Sequence, residues 1–144
     1  MMKKMYLLDT NIITELTKPS PNQDVVKRIF ETQKLSVLST ITWAEALFGL
    51  KRLPECKKKN NLIDFYMNTV QNMYDYLDFN IYAASIYSDI KARLESLGKL
   101  PPELDLQIAS IAIANNLILV TRNIGDFTEI VNHSALMLEN WFEE

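Results

Sequence analysis

Short apolar runs alternate with longer segments of helical spacing along the chain. Five runs hold a few apolar residues between polar ones and are predicted as strands: MYLLD, KLSVLS, YDYLDFN, LILVT and ALMLEN. Helical spacing marks the segments NIITELTK, DVVKRIFET, TITWAEALFGLKRL, NNLIDFYMNTVQNM, AASIYSDIKARLESLG and DLQIASIAIANN. Because the two kinds of element alternate, we predict an α/β fold with three layers (α/β/α). Its central sheet should be mainly parallel, with about five strands joined by right-handed crossovers.

Proline and glycine positions mark the predicted helix ends. Pro19 and Pro21 close the first helical segment, and Pro54 follows the third. Gly98 is predicted to cap the helix that contains AASIYSDIKARLES. The chain has 144 residues, the length of one ordinary domain, so residues 1–144 are predicted to form a single domain.

The composition excludes several classes of protein. Hydrophobic residues make up 48% of the chain and charged residues 23%, as in a globular protein in water. No apolar run approaches the ~18 residues of a membrane span. Lys3 and Lys4 precede only a short apolar segment without a small-residue cleavage site, so a signal peptide is not expected. The single cysteine, Cys56, excludes an internal disulfide, and with a single histidine, His133, the chemistry must depend on carboxylates.

Positive charge is concentrated in one stretch although the net charge is −3. Residues 51–60 contain one acid, Glu55, and five basic residues: Lys51, Arg52, Lys57, Lys58 and Lys59. Such a cluster can bind the phosphates of a nucleic acid. It can equally be a solvated helix end and loop, and the sequence leaves both interpretations open.

Four acidic residues lie at predicted element boundaries beside apolar residues: Asp9, Glu45, Asp105 and Asp126. Each has a purely structural explanation. Asp9 or Asn11 would cap the first helix, and Glu45 has the spacing of a capping box with Thr42. Asp105 would be favourable near a helix N-terminus, and Asp126 would be a turn residue after Gly125.

Taken together, the four acids favour a metal site. Glu45 and Asp105 belong to helices rich in apolar residues, with no basic partner within a helical turn, so their charges need compensation. Carboxylates without histidine or cysteine suit Mg²⁺ or Mn²⁺ rather than structural zinc or copper. Such a site can polarise a phosphoryl oxygen and activate water, which indicates a Mg²⁺-dependent phosphodiesterase.

The chain resembles a known family in the segments that carry these acids. LLDTNII, then TWAEALFGL, then PPELDLQIASIAIANNLILVTRNIGDF resemble the PIN-domain ribonuclease toxins of the VapC family, from VapBC toxin–antitoxin pairs. The resemblance covers nearly the whole chain, down to Trp141. It implies a PIN-like fold and endoribonuclease activity.

The resemblance also implies roles for individual residues. Asp9, Glu45 and Asp105 would bind the metal, with Asp126 as a further catalytic acid. Many relatives carry a fourth acid after the fourth strand, where this chain has Asn123. Whether Asn123 or Asp126 takes that role, and whether one metal or two are held, stays open. The polar residues expected to support the site are Thr10, Asn11, Thr121 and Asn123.

Partners and setting follow from the same resemblance. The expectations are a cytoplasmic toxin that forms a homodimer or a higher toxin–antitoxin assembly, and a cognate antitoxin. The expected substrate is structured RNA, with initiator tRNA as the first candidate. The basic run Lys51 to Lys59 would contact that RNA.

Other classes fit the sequence less well. A haloacid-dehalogenase-type phosphatase needs an acid where Asn11 stands, a receiver domain needs a lysine beyond Arg122, and no P-loop motif is present. The remaining rival is a catalytically weak PIN-fold module that acts by binding a protein or RNA.

Overall fold

The computed structural model describes residues 3–142, which form one five-stranded sheet flanked by helices. The strands are β1 (Tyr6–Leu8), β2 (Ser36–Ser39), β3 (Asp75–Leu77), β4 (Ile118–Val120) and β5 (Met137–Glu139). The helices are α1 (Thr10–Ile13), α2 (Gln23–Glu31), α3 (Thr40–Lys51), α4 (Lys57–Phe65), α5 (Gln71–Met73), α6 (Ile81–Ser96), α7 (Glu103–Ala114) and α8 (Ile124–Asn132). A 3₁₀ turn over Thr14–Thr17 extends α1, and a π turn over Tyr66–Val70 joins α4 to α5.

All strand pairings are parallel, in the order β3-β2-β1-β4-β5. The predicted fold class is therefore confirmed, including the candidate fifth strand. The chain builds outward from β1 to β3 and then returns to the other side of β1 with β4. This reversal places a crevice beyond the carboxyl ends of β1 and β4, which is where open parallel sheets bind ligands.

Two buried clusters cover the two faces of the sheet. Leu7 packs with apolar residues of α6, α7 and α8, whereas its neighbour Leu8 packs with those of α1 to α5. The alternation follows from the period of two along a strand. The helix α7 is buried over most of its length, as its apolar sequence predicts.

One helix, α8, was not predicted from the sequence. Gly125 lies in its first turn and favoured a turn, yet Phe127 and Ile130 are fully buried at helical spacing. The predicted cap at Gly98 is confirmed, because its φ is 67° and the N–H of Lys99 bonds the carbonyl of Leu94 at 2.9 Å. No helix among residues 3–142 is long and apolar enough to cross a membrane.

Candidate active site

The carboxylate of Asp9 is buried at the crevice between β1 and β4 and is only 5% exposed. Its Oδ1 accepts the backbone N–H of Thr10 at 2.8 Å. Its Oδ2 accepts the hydroxyl of Thr121 at 2.9 Å and the amide of Asn11 at 3.3 Å. Asp9 therefore does cap α1, as one interpretation of the sequence held, but donors from two elements also fix its orientation.

Burial raises the pKa of Asp9, and the nearby charge of Asp126 raises it further. The hydrogen bonds from Thr10, Thr121 and Asn11 act in the opposite direction, because they stabilise the ionised form. A buried carboxylate is a suitable ligand for a cation, because a cation offsets the cost of burying its charge.

Glu45 faces the same crevice from α3. The capping box predicted between Thr42 and Glu45 is wrong, because Ser39 is the N-cap and accepts the N–H of Thr42 at 2.9 Å. Glu45 Oε1 instead accepts the hydroxyl of Thr10 at 2.7 Å. Thr10 thus connects two of the predicted acids, with its backbone on Asp9 and its side chain on Glu45.

Asp105 lies in the first turn of α7 and is half-buried. Burial raises the pKa of Asp105 to about 6, and the charges of Asp9, Asp126 and Glu45 add to the effect. The fold therefore brings all four predicted acids within electrostatic range of one point. Asp126 is exposed in the first turn of α8, so it is a helix residue and not the turn residue that Gly125 suggested.

Three of the four predicted supporting residues, Thr10, Asn11 and Thr121, donate hydrogen bonds to the acids through their side chains. Thr121 is fully buried, and its hydroxyl oxygen accepts the Asn11 amide at 3.2 Å and the backbone N–H of Asn123 at 3.1 Å. Asn123 itself is exposed and does not cap α8 with its side chain. Its backbone, rather than its amide, is tied to the site.

The donor set of the site consists of hard oxygens, which suits Mg²⁺ or Mn²⁺. Among residues 3–142, no three acidic, histidine or cysteine side chains lie close enough together to hold one ion between them. Mg²⁺ tolerates this arrangement, because it is commonly bound through one or two carboxylates and keeps several waters. The raised pKa of Asp105 marks the point where a cation would relieve the repulsion among the acids.

The basic run does not behave as a unit. Lys51, Arg52, Lys57 and Lys58 are exposed, and Arg52 lies 5.7 Å from the ring centre of Phe48. The side chain of Lys59 is only 8% exposed and pairs with Glu55 at 2.6 Å. Lys59 therefore stabilises the start of α4 and is not presented to a nucleic acid, contrary to the grouping made from the sequence.

Sequence reasoning missed two residues beside the crevice. Glu15 is 3% exposed, accepts the backbone N–H of Asn22 at 2.7 Å and pairs with Lys18 at 2.8 Å. Arg122 donates its backbone N–H to Asn11 Oδ1 at 2.9 Å. The available signals were an acid inside the apolar stretch NIITELT and a basic residue inside TRN.

Comparisons with known proteins identify the family to which the chain belongs. The family model described as PIN domain matches residues 6–131. Ribonuclease VapC2 of Haemophilus influenzae is 31% identical over 136 residues, which cover 94% of this chain and 97% of that protein. The tRNA(fMet)-specific endonuclease VapC of Shigella flexneri is 27% identical over 136 residues, which cover 94% of this chain and 97% of that protein.

Solved structures give the same answer. FitAcB from Neisseria gonorrhoeae superposes with a TM-score of 0.88 at 31% identity, covering 97% of this chain and 100% of that chain. VapBC2 from Rickettsia felis, bound to a DNA fragment from its promoter, superposes with a TM-score of 0.77 at 29% identity, covering 95% and 98%. The fold and the acidic crevice thus define a PIN-domain protein. Within that class, the chain belongs to the VapC ribonucleases, the toxins of VapBC toxin–antitoxin systems.

Proposed function

We propose that this chain is a Mg²⁺-dependent endoribonuclease in which Asp9, Glu45 and Asp105 hold the metal, one or two of them directly and the remainder through its bound waters, and Asp126 acts as a further acid. The observation that carries the proposal is the convergence of the four acids, seen in the pKa of Asp105, which burial and the other three carboxylates raise to about 6. Mn²⁺ would satisfy the same oxygen ligands.

The residues around the acids keep them in position. Asp9 accepts three hydrogen bonds, so its carboxylate cannot rotate freely to meet another donor. Thr10 orients Glu45 through a short hydrogen bond. Such fixed orientation matters because small displacements of reacting groups cost large factors in rate. When bound, Mg²⁺ would supply activation of water and stabilisation of negative charge on the phosphate.

The substrate we propose is structured RNA, with initiator tRNA as the first candidate, because the Shigella flexneri relative is named for tRNA(fMet). Lys51, Arg52, Lys57 and Lys58 are exposed and positively charged, and we assign them to contact RNA phosphates. Lys59 is left out of this set because it is buried against Glu55.

We further propose that this chain acts on cellular RNA in the cytoplasm and that a cognate antitoxin binds it there. We propose that the chain forms a homodimer within a larger toxin–antitoxin assembly. The support is the similarity to FitAcB and to VapBC2 from Rickettsia felis.

The test of the enzyme is cleavage of total tRNA by antitoxin-free protein, with Mg²⁺ and with EDTA. The decisive variant is Asp9→Asn, and the matched control is Asp89→Asn, which neutralises an exposed acid on α6. Discrete fragments that require both Mg²⁺ and Asp9, but not Asp89, are expected, and mapping their ends identifies the target.

The opposite result would favour the rival function. If folded protein leaves tRNA intact in both conditions and calorimetry detects no Mg²⁺ or Mn²⁺ binding, the chain is a binding module and not this enzyme.

The assignment of the exposed lysines to RNA contact has its own test. The double variant Lys57→Glu, Lys58→Glu should reduce cleavage at low salt. The control is Lys27→Glu on α2. Equal activity of the two proteins would refute RNA contact by these lysines.

A further inference from the structure

Arg122 is the basic residue tied most directly to the acidic crevice. It follows Thr121, and its backbone N–H bonds Asn11 Oδ1 at 2.9 Å. The amide of the same Asn11 donates to Asp9 Oδ2 at 3.3 Å and to Thr121 Oγ1 at 3.2 Å. The backbone of Arg122 is therefore fixed by the network that orients Asp9, although Arg122 itself is exposed.

The side chain of Arg122 is held in place by an aromatic ring. Its guanidinium lies 4.4 Å from the ring centre of Phe142, within the range of a cation–π interaction. Within residues 3–142, no carboxylate lies within 4.0 Å of this guanidinium, so Arg122 forms no ion pair there. An aromatic contact leaves the hydrogen-bonding edge of an arginine free, so within residues 3–142 that edge can bind a ligand.

A second basic residue, Lys18, already forms an ion pair. Lys18 pairs with the buried carboxylate of Glu15 at 2.8 Å. Lys18 and the backbone N–H of Asn22 lower the pKa of Glu15 against the effect of its burial, and the more distant charge of Arg122 lowers it slightly further. The charges that most affect the pKa of Asp9 and Asp105 are those of other carboxylates. We therefore assign the charge of Arg122 to the rim of the crevice, beside the acids.

We propose that Arg122 binds a backbone phosphate of the RNA at the rim of the acidic crevice, with Phe142 as the platform that holds its guanidinium ready. The proposal rests on the function proposed above. The four acids repel RNA, so the substrate needs a cation that stands beside them without occupying the metal position. Guanidinium matches a phosphate with two parallel hydrogen bonds, and holding it on a ring in advance reduces the entropy lost on binding.

The structure supplies a matched control residue. Arg28 lies 4.7 Å from the ring centre of Trp141, so it makes the same type of aromatic contact one residue before Phe142. Unlike Arg122, it pairs with a carboxylate, that of Glu139, at 3.4 Å. A role of Arg122 that is only structural predicts similar effects for Arg122→Gln and Arg28→Gln.

The experiment measures binding of a fluorescein-labelled anticodon stem-loop RNA by fluorescence anisotropy over a series of salt concentrations with Mg²⁺ present. All proteins carry Asp9→Asn so that the RNA stays intact, and thermal melting confirms that each is folded. Arg122→Gln should weaken binding by at least about tenfold, because it removes a charge-assisted contact made of two hydrogen bonds. It should also reduce the slope of log affinity against log salt by about 0.7 to 0.9, the value for one phosphate contact.

Two further variants separate charge from orientation. Arg122→Lys should keep the salt slope but bind less tightly, because an ammonium cannot make the paired contact. Phe142→Leu should also keep the slope while weakening binding, since it removes the platform and not the charge. In the cleavage assay with Asp9 intact, Arg122→Gln should raise KM and leave kcat nearly unchanged.

Equal affinities and slopes for Arg122→Gln and Arg28→Gln would overturn the proposal, as would an unchanged KM in a protein that cleaves RNA. If the wild-type protein cleaves no RNA and the Asp9→Asn parent binds none, the proposed function itself has failed, and this inference fails with it. The cleavage assay therefore distinguishes the two failures.

Discussion

Neutralising Asp105 should stabilise the metal-free protein, although its side chain belongs to the candidate active site. Burial and three neighbouring carboxylates raise the pKa of Asp105 from 3.8 to about 6. Because the folded protein holds this proton more tightly than the unfolded chain, stability is highest below pH 4 with respect to this group. This group's contribution to the free energy of unfolding is lost as the pH rises from about 4 to about 6. Asp105→Asn removes the ionisation and with it that loss.

The size of the effect follows from the same pKa. The interval between 3.8 and about 6 corresponds to about 3 kcal/mol as an upper bound. Asp105 is only half-buried, so screening by solvent reduces the expected gain in unfolding free energy to about 1 to 2 kcal/mol at pH 8. For a chain of 144 residues, the corresponding rise in Tm is about 3 to 7 °C.

The assay is urea unfolding and thermal melting in EDTA at pH 4.5 and pH 8, comparing wild type, Asp105→Asn and the exposed-site control Asp89→Asn. The advantage of Asp105→Asn should be large at pH 8 and small at pH 4.5, while Asp89→Asn stays within about 0.5 kcal/mol of wild type. Mg²⁺ should stabilise the wild type more than Asp105→Asn, since the ion binds the folded state. A loss of stability at pH 8, or a gain independent of pH, would refute the view that Asp105 is an uncompensated acid.

Four other substitutions test how the site and its framework are held. Thr121→Val removes the buried hydroxyl that donates to Asp9, so it should cost about 1 to 3 kcal/mol in urea unfolding and weaken Mg²⁺ binding in calorimetry at pH 6. Unchanged metal affinity would contradict this role. Ser39→Ala removes the N-cap of α3 and should cost about 1 kcal/mol, measured by the same unfolding assay. Gly98→Ala places a side chain on a residue with a φ of 67° and should cost about 1 kcal/mol. The comparison is Gly49→Ala inside α3, where the added Cβ meets no atom within 4 Å. Gly49→Ala should be neutral or stabilising by up to about 1 kcal/mol. Equal effects of the two glycine changes in thermal melting would be contrary evidence.

The order and type of the elements were predictable from local pattern. Apolar runs of strand length alternate with helical spacing, and short-range sterics decide features such as the left-handed cap at Gly98. The helix α8 escaped this reasoning because Gly125 has a low helical propensity, and only the burial of Phe127 and Ile130 against the sheet outweighs it. Local preference is a weak guide wherever packing supplies more free energy than propensity.

The acids of the site were also identifiable from sequence, because carboxylates beside apolar residues at element ends are costly unless they have partners. The family resemblance also gave Thr10, Asn11 and Thr121 as supporting residues, but the acid that each of them contacts was not identifiable. Glu45 has capping-box spacing but bonds Thr10, which is 35 residues away in the chain. Lys59 looks like one of five equivalent basic residues, yet packing withdraws it from the surface.

What the sequence alone determined is therefore the alternation of elements, the family resemblance and the choice of four candidate acids. The tertiary structure decided which residues face one another: Asp9 meets Thr121 across 112 positions of the chain, and Arg122 meets Phe142 beside them. The physical reason is that strand order is set by burial of both faces of the sheet. The return of β4 to the side of β1 joins chain segments whose contacts leave no periodic signal in the sequence.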